Sequence, residues 1–215
     1  MAILFFMVSS FITINGVYEN VITIEKSKFI CTIKGIESEQ EAKEFIAYVK
    51  KIYSLATHNC YAYIADENSL ICKFSDDGEP QGTAGLPILE ALKATKIVKC
   101  AVVVTRYFGG IKLGAGGLVR AYNSSAVECI KKAPKLKMFY AKEYVLKTDY
   151  ESYSGLISKL ANLPLTIIST DFDQSVSITL AIKQEQIDST LSFFADYFSG
   201  KQNITWIGEG FYPFN

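Results

Sequence analysis

Five glycines fall within nine positions, Gly109, Gly110, Gly114, Gly116 and Gly117, in the stretch AVVVTRYFGGIKLGAGGLVRAY. Arg106, Lys112 and Arg120 flank or interrupt them. Glycine lets a backbone turn with positive φ and approach a ligand closely. A glycine-rich turn from a strand into a helix can aim several N–H groups at an anion, and the helix dipole adds to the attraction. The stretch therefore reads either as a phosphate-binding loop or as a tightly packed turn. It fits neither common nucleotide template. A P-loop needs Lys and Ser/Thr where Ala115 and Gly116 stand, and the dinucleotide fingerprint needs Gly or Ala where Val119 stands.

A second cluster, FSDDGEPQGTAG, puts Asp76, Asp77 and Glu79 within four positions. Such carboxylates suit Mg²⁺, and they equally suit an Asx turn and a cap for a helix starting near Thr83. His58 is the only histidine. It is an acid–base candidate or a bonded structural residue. Cys60 lies two positions on, and on a strand i and i+2 share a face. Tyr61, Tyr63, Tyr107, Phe108 and Tyr122 lie near these basic and glycine-rich parts. They read either as core or as faces on which bases could stack. The common hydrolase signatures G-x-S-x-G and H-E-x-x-H are absent.

These residues must be held by something. The chain has 215 residues, 49% of them hydrophobic, and 22 Lys/Arg balance 22 Asp/Glu. That suits one large or two small packed domains. It excludes a surface that is one broad cationic field for nucleic acid, though not a local basic groove. The five cysteines form no C-x-x-C pair. A disulfide framework or zinc site is not indicated, and a reducing cytoplasm is. The apolar start, MAILFFMVSSFITING, lacks a basic n-region and is too short to span a bilayer. Residues 1–8 read as a ragged extension. SFITI reads as a strand closed by an Asn15-Gly16 hairpin turn.

Further along, YENVITIEKSKFICTIKGI reads as two strands with a charged turn. Ser38 and Glu41 form a capping box for a helix with core face Ala42, Phe45, Ile46, Val49 and Ile52. NCYAYIA and LICKFS read as a hairpin across DENS, LPILEALKAT as a helix, and VKCAVVVTRY as a buried strand. Leu118, Val119, Tyr122, Ala126 and Ile130 give the next helix its core face. Pro134 breaks the pattern, and KKAPKLKM reads as a polar connector. The domain division is therefore 1–133 and 134–215. The second part runs β-α-β-β-α-β, the order of a ferredoxin-like unit, with Ile187, Leu191, Phe194 and Phe198 as a buried stripe and Gly200 stopping that helix.

Taken together, THNCYAY, FSDDGEPQGTAGLPIL and VVVTRYFGGIKLGAGGLVRAY resemble the Impact/YigZ family, over residues 25–133. The remainder is similar to the second domain of its bacterial, YigZ-type members. The resemblance implies an α+β protein. Its first domain would be an α/β sandwich like domain 2 of ribosomal protein S5, a fold shared with translation factors, the ribonuclease P protein and small-molecule kinases. Its second would be ferredoxin-like and similar to elongation-factor domain V. Eukaryotic members regulate translation by countering a stress kinase through its activator. They carry an additional N-terminal domain, whereas the first motif here begins near the start of the chain.

The motifs carry the expected functional surface onto His58, Asp76, Asp77, Gly78, Glu79, Pro80, Gly82 and Thr83. They carry the expected phosphate or RNA contacts onto Arg106, Tyr107, Gly109, Gly110, Lys112, Gly114, Gly116, Gly117 and Arg120. The leading expectation is a cytoplasmic, translation-associated protein that binds RNA or the ribosome, with no metal, no cofactor, no membrane and no sequence-specific DNA contact, and no assigned catalytic residue. The first alternative is an enzyme acting on a phosphorylated small molecule or nucleotide, with Mg²⁺ held by the carboxylates. The second is a protein-interaction adaptor.

Overall fold

A computed structural model describes residues 8–201 and 203–214. Most of the expected extension, residues 1–7, lies outside them. The protein is mixed α/β and forms two units. The first is Phe11–Leu136, and the second is Lys137–Asn215 together with the residues up to Ser10.

The first unit is built on a five-stranded sheet in the order β2-β3-β6-β4-β5, with every neighbouring pair antiparallel. Its strands are β2 (Val17–Ile24), β3 (Ser27–Gly35), β4 (His58–Ile64), β5 (Cys72–Ser75) and β6 (Cys100–Tyr107). β6 is buried along almost its whole length, as its run of β-branched residues requires for the central strand. β2 and β3 are joined by Glu25 and Lys26, both with positive φ (45° and 62°). That is the geometry of a two-residue hairpin turn of the primed type.

The expected hairpin at Asn15-Gly16 does not form. β1 (Ser10–Ile14) is not a member of this sheet. Its Ile12 bridges Ile97 in parallel, and Thr13 Oγ1 donates to the Lys99 carbonyl at 2.7 Å. The Asn15 N–H, free of any β2 partner, donates to the Pro134 carbonyl at 2.9 Å.

α1 (Glu39–Ile52) packs Ala42, Phe45, Ile46 and Val49 against Tyr63, Ala101 and Val103, while Ile52 is exposed. Its capping box is offset by one residue. Ser38 Oγ accepts from Glu41 N, but the Glu41 carboxylate takes the N–H of Glu37 instead of that of Ser38. α2 (Gly85–Thr95) holds Pro87 in its first turn, where a missing N–H costs no helical bond. α3 (Gly114–Lys132) buries Leu118, Ala121, Tyr122, Ser125, Ala126, Cys129 and Ile130; Val119 is exposed. Tyr122 packs edge-on against Phe29 of β3 (ring centroids 5.3 Å) and Cys129 Sγ donates to the Cys31 carbonyl, so α3 lies along β3.

The segment KKAPKLKM, expected as a polar connector, runs into regular structure at both ends. It is the end of α3 and the start of β7 (Lys135–Thr148). The second unit continues with α4 (Tyr150–Leu160), β8 (Leu165–Phe172), β9 (Val176–Lys183), α5 (Ile187–Tyr197) and β10 (Ile204–Pro213). Among its own strands the neighbour order is β10-β7-β9-β8, all antiparallel. Leu146, Val176, Ile178, Leu180 and Ile182 pack against Leu156, Leu160 and Phe194, with Leu191 and Phe198 at the margin. Gly200, φ +78°, follows α5 as expected.

The Ser38 cap yields a first expectation. Ser38→Ala should lower the stability of the first unit by about 1 kcal/mol, while Ser38→Asp should leave it nearly unchanged. The midpoints of urea denaturation followed by circular dichroism would check this.

Candidate functional site

The register of the first sheet places the site. Phe29, Arg106 and His58 stand directly opposite one another across β3, β6 and β4. The next matching row, two residues along, is Cys31, Val104 and Cys60. Because side chains alternate, this face carries His58 and Cys60 while Tyr61 and Tyr63 turn to the α1 side, where their rings stack 6.4 Å apart. Sequence reasoning placed His58 and Cys60 on one face, and they are. They do not bond each other. His58 Nδ1 donates to the Asp77 carbonyl at 2.8 Å, and Cys60 Sγ donates to the Asp76 carbonyl at 2.9 Å. Burial pushes the Cys60 thiol well above its ordinary value, so it is a structural donor and not a thiolate nucleophile.

The carboxylate cluster is divided among three tasks. Asp76 accepts from the N–H groups of Gly82 (2.8 Å), Ala84 (3.0 Å) and Gly85 (2.8 Å), folding the loop back to start α2. Asp77 accepts from Asn59 N at 2.6 Å and pairs with Lys50 Nζ at 2.6 Å. Glu79 turns inward. The loop needs positive φ at Asp77 (47°), Gly78 (90°) and Gly82 (76°) to do this. Thr83 Oγ1 closes it on the Pro80 carbonyl. Pointing three ways, the carboxylates do not assemble a cation site, and no group of three or more metal-ligating side chains occurs among the described residues.

Glu79 and Arg106 form the buried centre. Arg106 is only 5% exposed. Its Nη1 donates to Glu79 Oε1 at 2.7 Å and its Nη2 to Ser27 Oγ at 3.3 Å. The guanidinium sits 5.5 Å from the ring centroids of both Phe29 and Phe108. Tyr122 Oη donates to the same Glu79 Oε1 at 2.9 Å. Burial above all, then Cys60 and Glu79, hold that phenol protonated far above its ordinary range. The second oxygen, Glu79 Oε2, lies 3.9 Å from His58 Nε2. Arg106, expected at phosphate, is thus paired inside the protein, with its Nε buried and without a hydrogen-bond partner.

Beside this centre lies a cavity of about 320 Å³. His58, Glu79 and Arg106 form one wall; Lys112, Leu113, Gly114 and Ala115 form another; Phe108 stands with them. The second wall is the start of α3. Its first N–H groups receive no side-chain cap, and its first turn holds no acidic residue. Lys112 and Arg120 are exposed there, as are Ala115 and Gly116.

The glycines separate by role. Gly109 is a packing glycine, since a Cβ would come within 2.0 Å of the Lys26 carbonyl carbon. Its N–H donates to Ser27 Oγ. Gly110 and Gly114 supply positive φ (86° and 67°) for the turn into α3. Tyr107 is half-buried and lies outside the cavity wall. Sequence reasoning missed Ser27, Thr57 and Lys50, and read Tyr122 as core or as a stacking face, not as a hydroxyl donor to Glu79. No local pattern marks the first three. A tyrosine inside a helix's apolar face, however, signals a hydroxyl in need of a partner.

Three comparisons bear on identity. A family profile described as the Impact N-terminal domain matches residues 25–130. The chain is 37% identical over 198 residues to the IMPACT family member YvyE of Bacillus subtilis (strain 168), spanning 92% of this chain and 91% of that protein. It is 32% identical over 188 residues to the IMPACT family member YigZ of Escherichia coli (strain K12), spanning 86% and 92%. A solved crystal structure of a hypothetical protein is similar with a TM-score of 0.64 at 29% identity, over 94% of this chain and 98% of that one.

The buried pair predicts strong non-additivity. Glu79→Ala strands the Arg106 charge and should cost about 3–5 kcal/mol. The double variant Glu79→Ala/Arg106→Met should be more stable than Glu79→Ala alone, as a double-mutant cycle in urea would read. Asp76 gives a pH dependence. Burial raises its carboxyl, but the three N–H donors outweigh that and hold it below 3.8. A depressed carboxylate stabilises the fold above its unfolded value and loses that contribution as pH falls through the folded value. Wild type should therefore lose stability below about pH 3.8 more steeply than Asp76→Asn, in denaturation midpoints measured from pH 5 to pH 2.

Proposed function

The chain belongs to the Impact family, and on that premise we propose that it is a translation-associated regulatory protein that binds RNA or the ribosome through the loop Gly109–Gly117. The observation that carries this reading is the uncapped, acid-free start of α3, flanked by exposed Lys112 and Arg120 and opening on the cavity. Free N–H groups at the positive end of a 19-residue helix attract an anion. Two flexible cations beside it add charge without fixing a base sequence, which suits phosphate contacts that position a strand. The balanced overall charge means that attraction is local to this loop.

Two features support the finer fold reading. The order β10-β7-β9-β8 supports a ferredoxin-like second unit, similar to elongation-factor domain V. The five-stranded sheet carrying α1, α2 and α3 supports an S5 domain 2-like first unit. Five free cysteines, four of them buried, support a reducing, cytoplasmic setting. No helix among the described residues is long and apolar enough to cross a membrane.

One observation favours the second reading, an enzyme or binder for a phosphorylated small molecule. His58 and Glu79 face the same cavity as the start of α3. Its Mg²⁺ component loses support, because Asp76 and Asp77 are held by loop N–H groups, Asn59 and Lys50.

Fluorescence anisotropy with short single- and double-stranded RNA over a salt series tests the RNA reading. Affinity should fall linearly in log salt. Lys112→Ala/Arg120→Ala should weaken binding and flatten the slope by about 0.7 per lost phosphate contact on a single strand. Absence of binding at low salt overturns it.

A further inference from the structure

The cavity offers more than an anion site. Glu79 has a side chain only 4% exposed, yet its Oε2 receives no hydrogen bond from the protein. Arg106 and Tyr122 both donate to Oε1, and His58 Nε2 at 3.9 Å is beyond bonding distance. That oxygen is the acceptor Glu79 presents at the cavity, where a ligand hydroxyl can donate to it. His58 repeats the pattern. Its Nδ1 is spent on the Asp77 carbonyl, which leaves Nε2 as the ring atom available on the cavity wall. His58 and Glu79 thus offer acceptors to hydroxyl groups, and the start of α3, which lines the same cavity, attracts an anion. Phe108 adds a third demand. It lines the same cavity, is 47% exposed, and has the Arg106 guanidinium 5.5 Å from its centroid. An exposed ring beside a cation is a platform for a flat, aromatic partner.

Anion, neighbouring hydroxyls and aromatic ring together describe a 5′-phosphorylated ribonucleoside with free 2′- and 3′-hydroxyls. We propose that the cavity holds one such nucleotide. The phosphate sits at the first turn of α3 with Lys112, the ribose hydroxyls donate to Glu79 Oε2 and reach His58 Nε2, and the base stacks on Phe108. The inference rests on the RNA reading above and deepens it. A cavity of about 320 Å³ is at the small end for ligand sites and suits a single nucleotide. A further phosphate on the 3′-oxygen would face the buried Glu79 carboxylate with like charge. The nucleotide taken from RNA is therefore the 3′-terminal one, and a free nucleoside 5′-monophosphate presents the same chemistry.

The test changes the ligand, so that no core variant is needed. A hexaribonucleotide labelled at its 5′ end is titrated by anisotropy in three forms: with a 3′-terminal cis-diol, with a 3′-phosphate and with a 2′,3′-dideoxy end. Adenosine 5′-monophosphate and its 2′,3′-dideoxy analogue are titrated by calorimetry. The diol forms should bind at least tenfold more tightly than the blocked forms, as a lost bond to a charged acceptor implies. Phe108→Ala, at an exposed position, should cost about tenfold more. Equal binding of all three RNA ends overturns the inference and leaves the phosphate-loop reading standing. Diol-dependent binding of the monophosphate without RNA binding supports the pocket, assigns it to free nucleotides and overturns the RNA reading. No binding of any ligand overturns both.

Discussion

A carboxylate and a guanidinium have been taken out of water together between the central sheet and α3. Side chains from strand, loop and helix converge on Glu79 and Arg106, although Arg106 Nε and Glu79 Oε2 keep no hydrogen-bond partner in the protein. Neither charge is tolerable alone at such depth, so each neighbour is held to a position where it can serve the pair. Ser27 at the start of β3 takes one guanidinium nitrogen, and Tyr122 from α3 shares the carboxylate oxygen. Phe29 and Phe108 each place a ring centroid 5.5 Å from the guanidinium. Strand, loop and helix therefore meet at one ion pair, and the cavity lies where that pair reaches the surface of the unit.

The loop that delivers Glu79 shows how this is achieved. Asp76 gathers three backbone N–H groups and Asp77 pins the turn to β4 and α1. The two residues that look most like metal ligands in the sequence are the ones that build the turn. The third, Glu79, is left with no backbone duty and points inward. A similar division runs through the glycines. Gly109 is needed for contact with the β2–β3 turn, Gly110 and Gly114 for the bend, and only the start of the helix beyond them is left open to a ligand.

Elements written in periodicity were readable from sequence. The amphipathic α1 with its cap, the β-branched β6 and the β-α-β-β-α-β order of the second unit all follow from local pattern. The misread elements depend on partners distant in the chain. Asn15-Gly16 looks like a hairpin turn, but the Asn15 N–H finds Pro134, more than a hundred residues away. Val119 fits a helical stripe, yet α3 is rolled so that Ala121 and Ser125 are buried in its place. The site shows the same limit. His58, Glu79 and Arg106 were each visible as chemically able residues. That Arg106 would be spent on Glu79 is a property of sheet register, which places His58 opposite Arg106 across β6 and β4. No spacing within either motif encodes that register.

Charge sets the scale of what this surface does. With 22 cations against 22 anions, no long-range field draws a polyanion to the molecule. Arg106 is internal, so on the proposed reading a phosphate at the loop meets Lys112, Arg120 and the dipole of α3. Two side chains and one helix end can hold one or two phosphates, not a length of duplex. On the proposed reading, affinity comes from short-range contacts inside the cavity, where Glu79 Oε2 and the ring of Phe108 lie beside the ion pair. The ion pair at the centre of the first unit thus also places the groups that line its cavity.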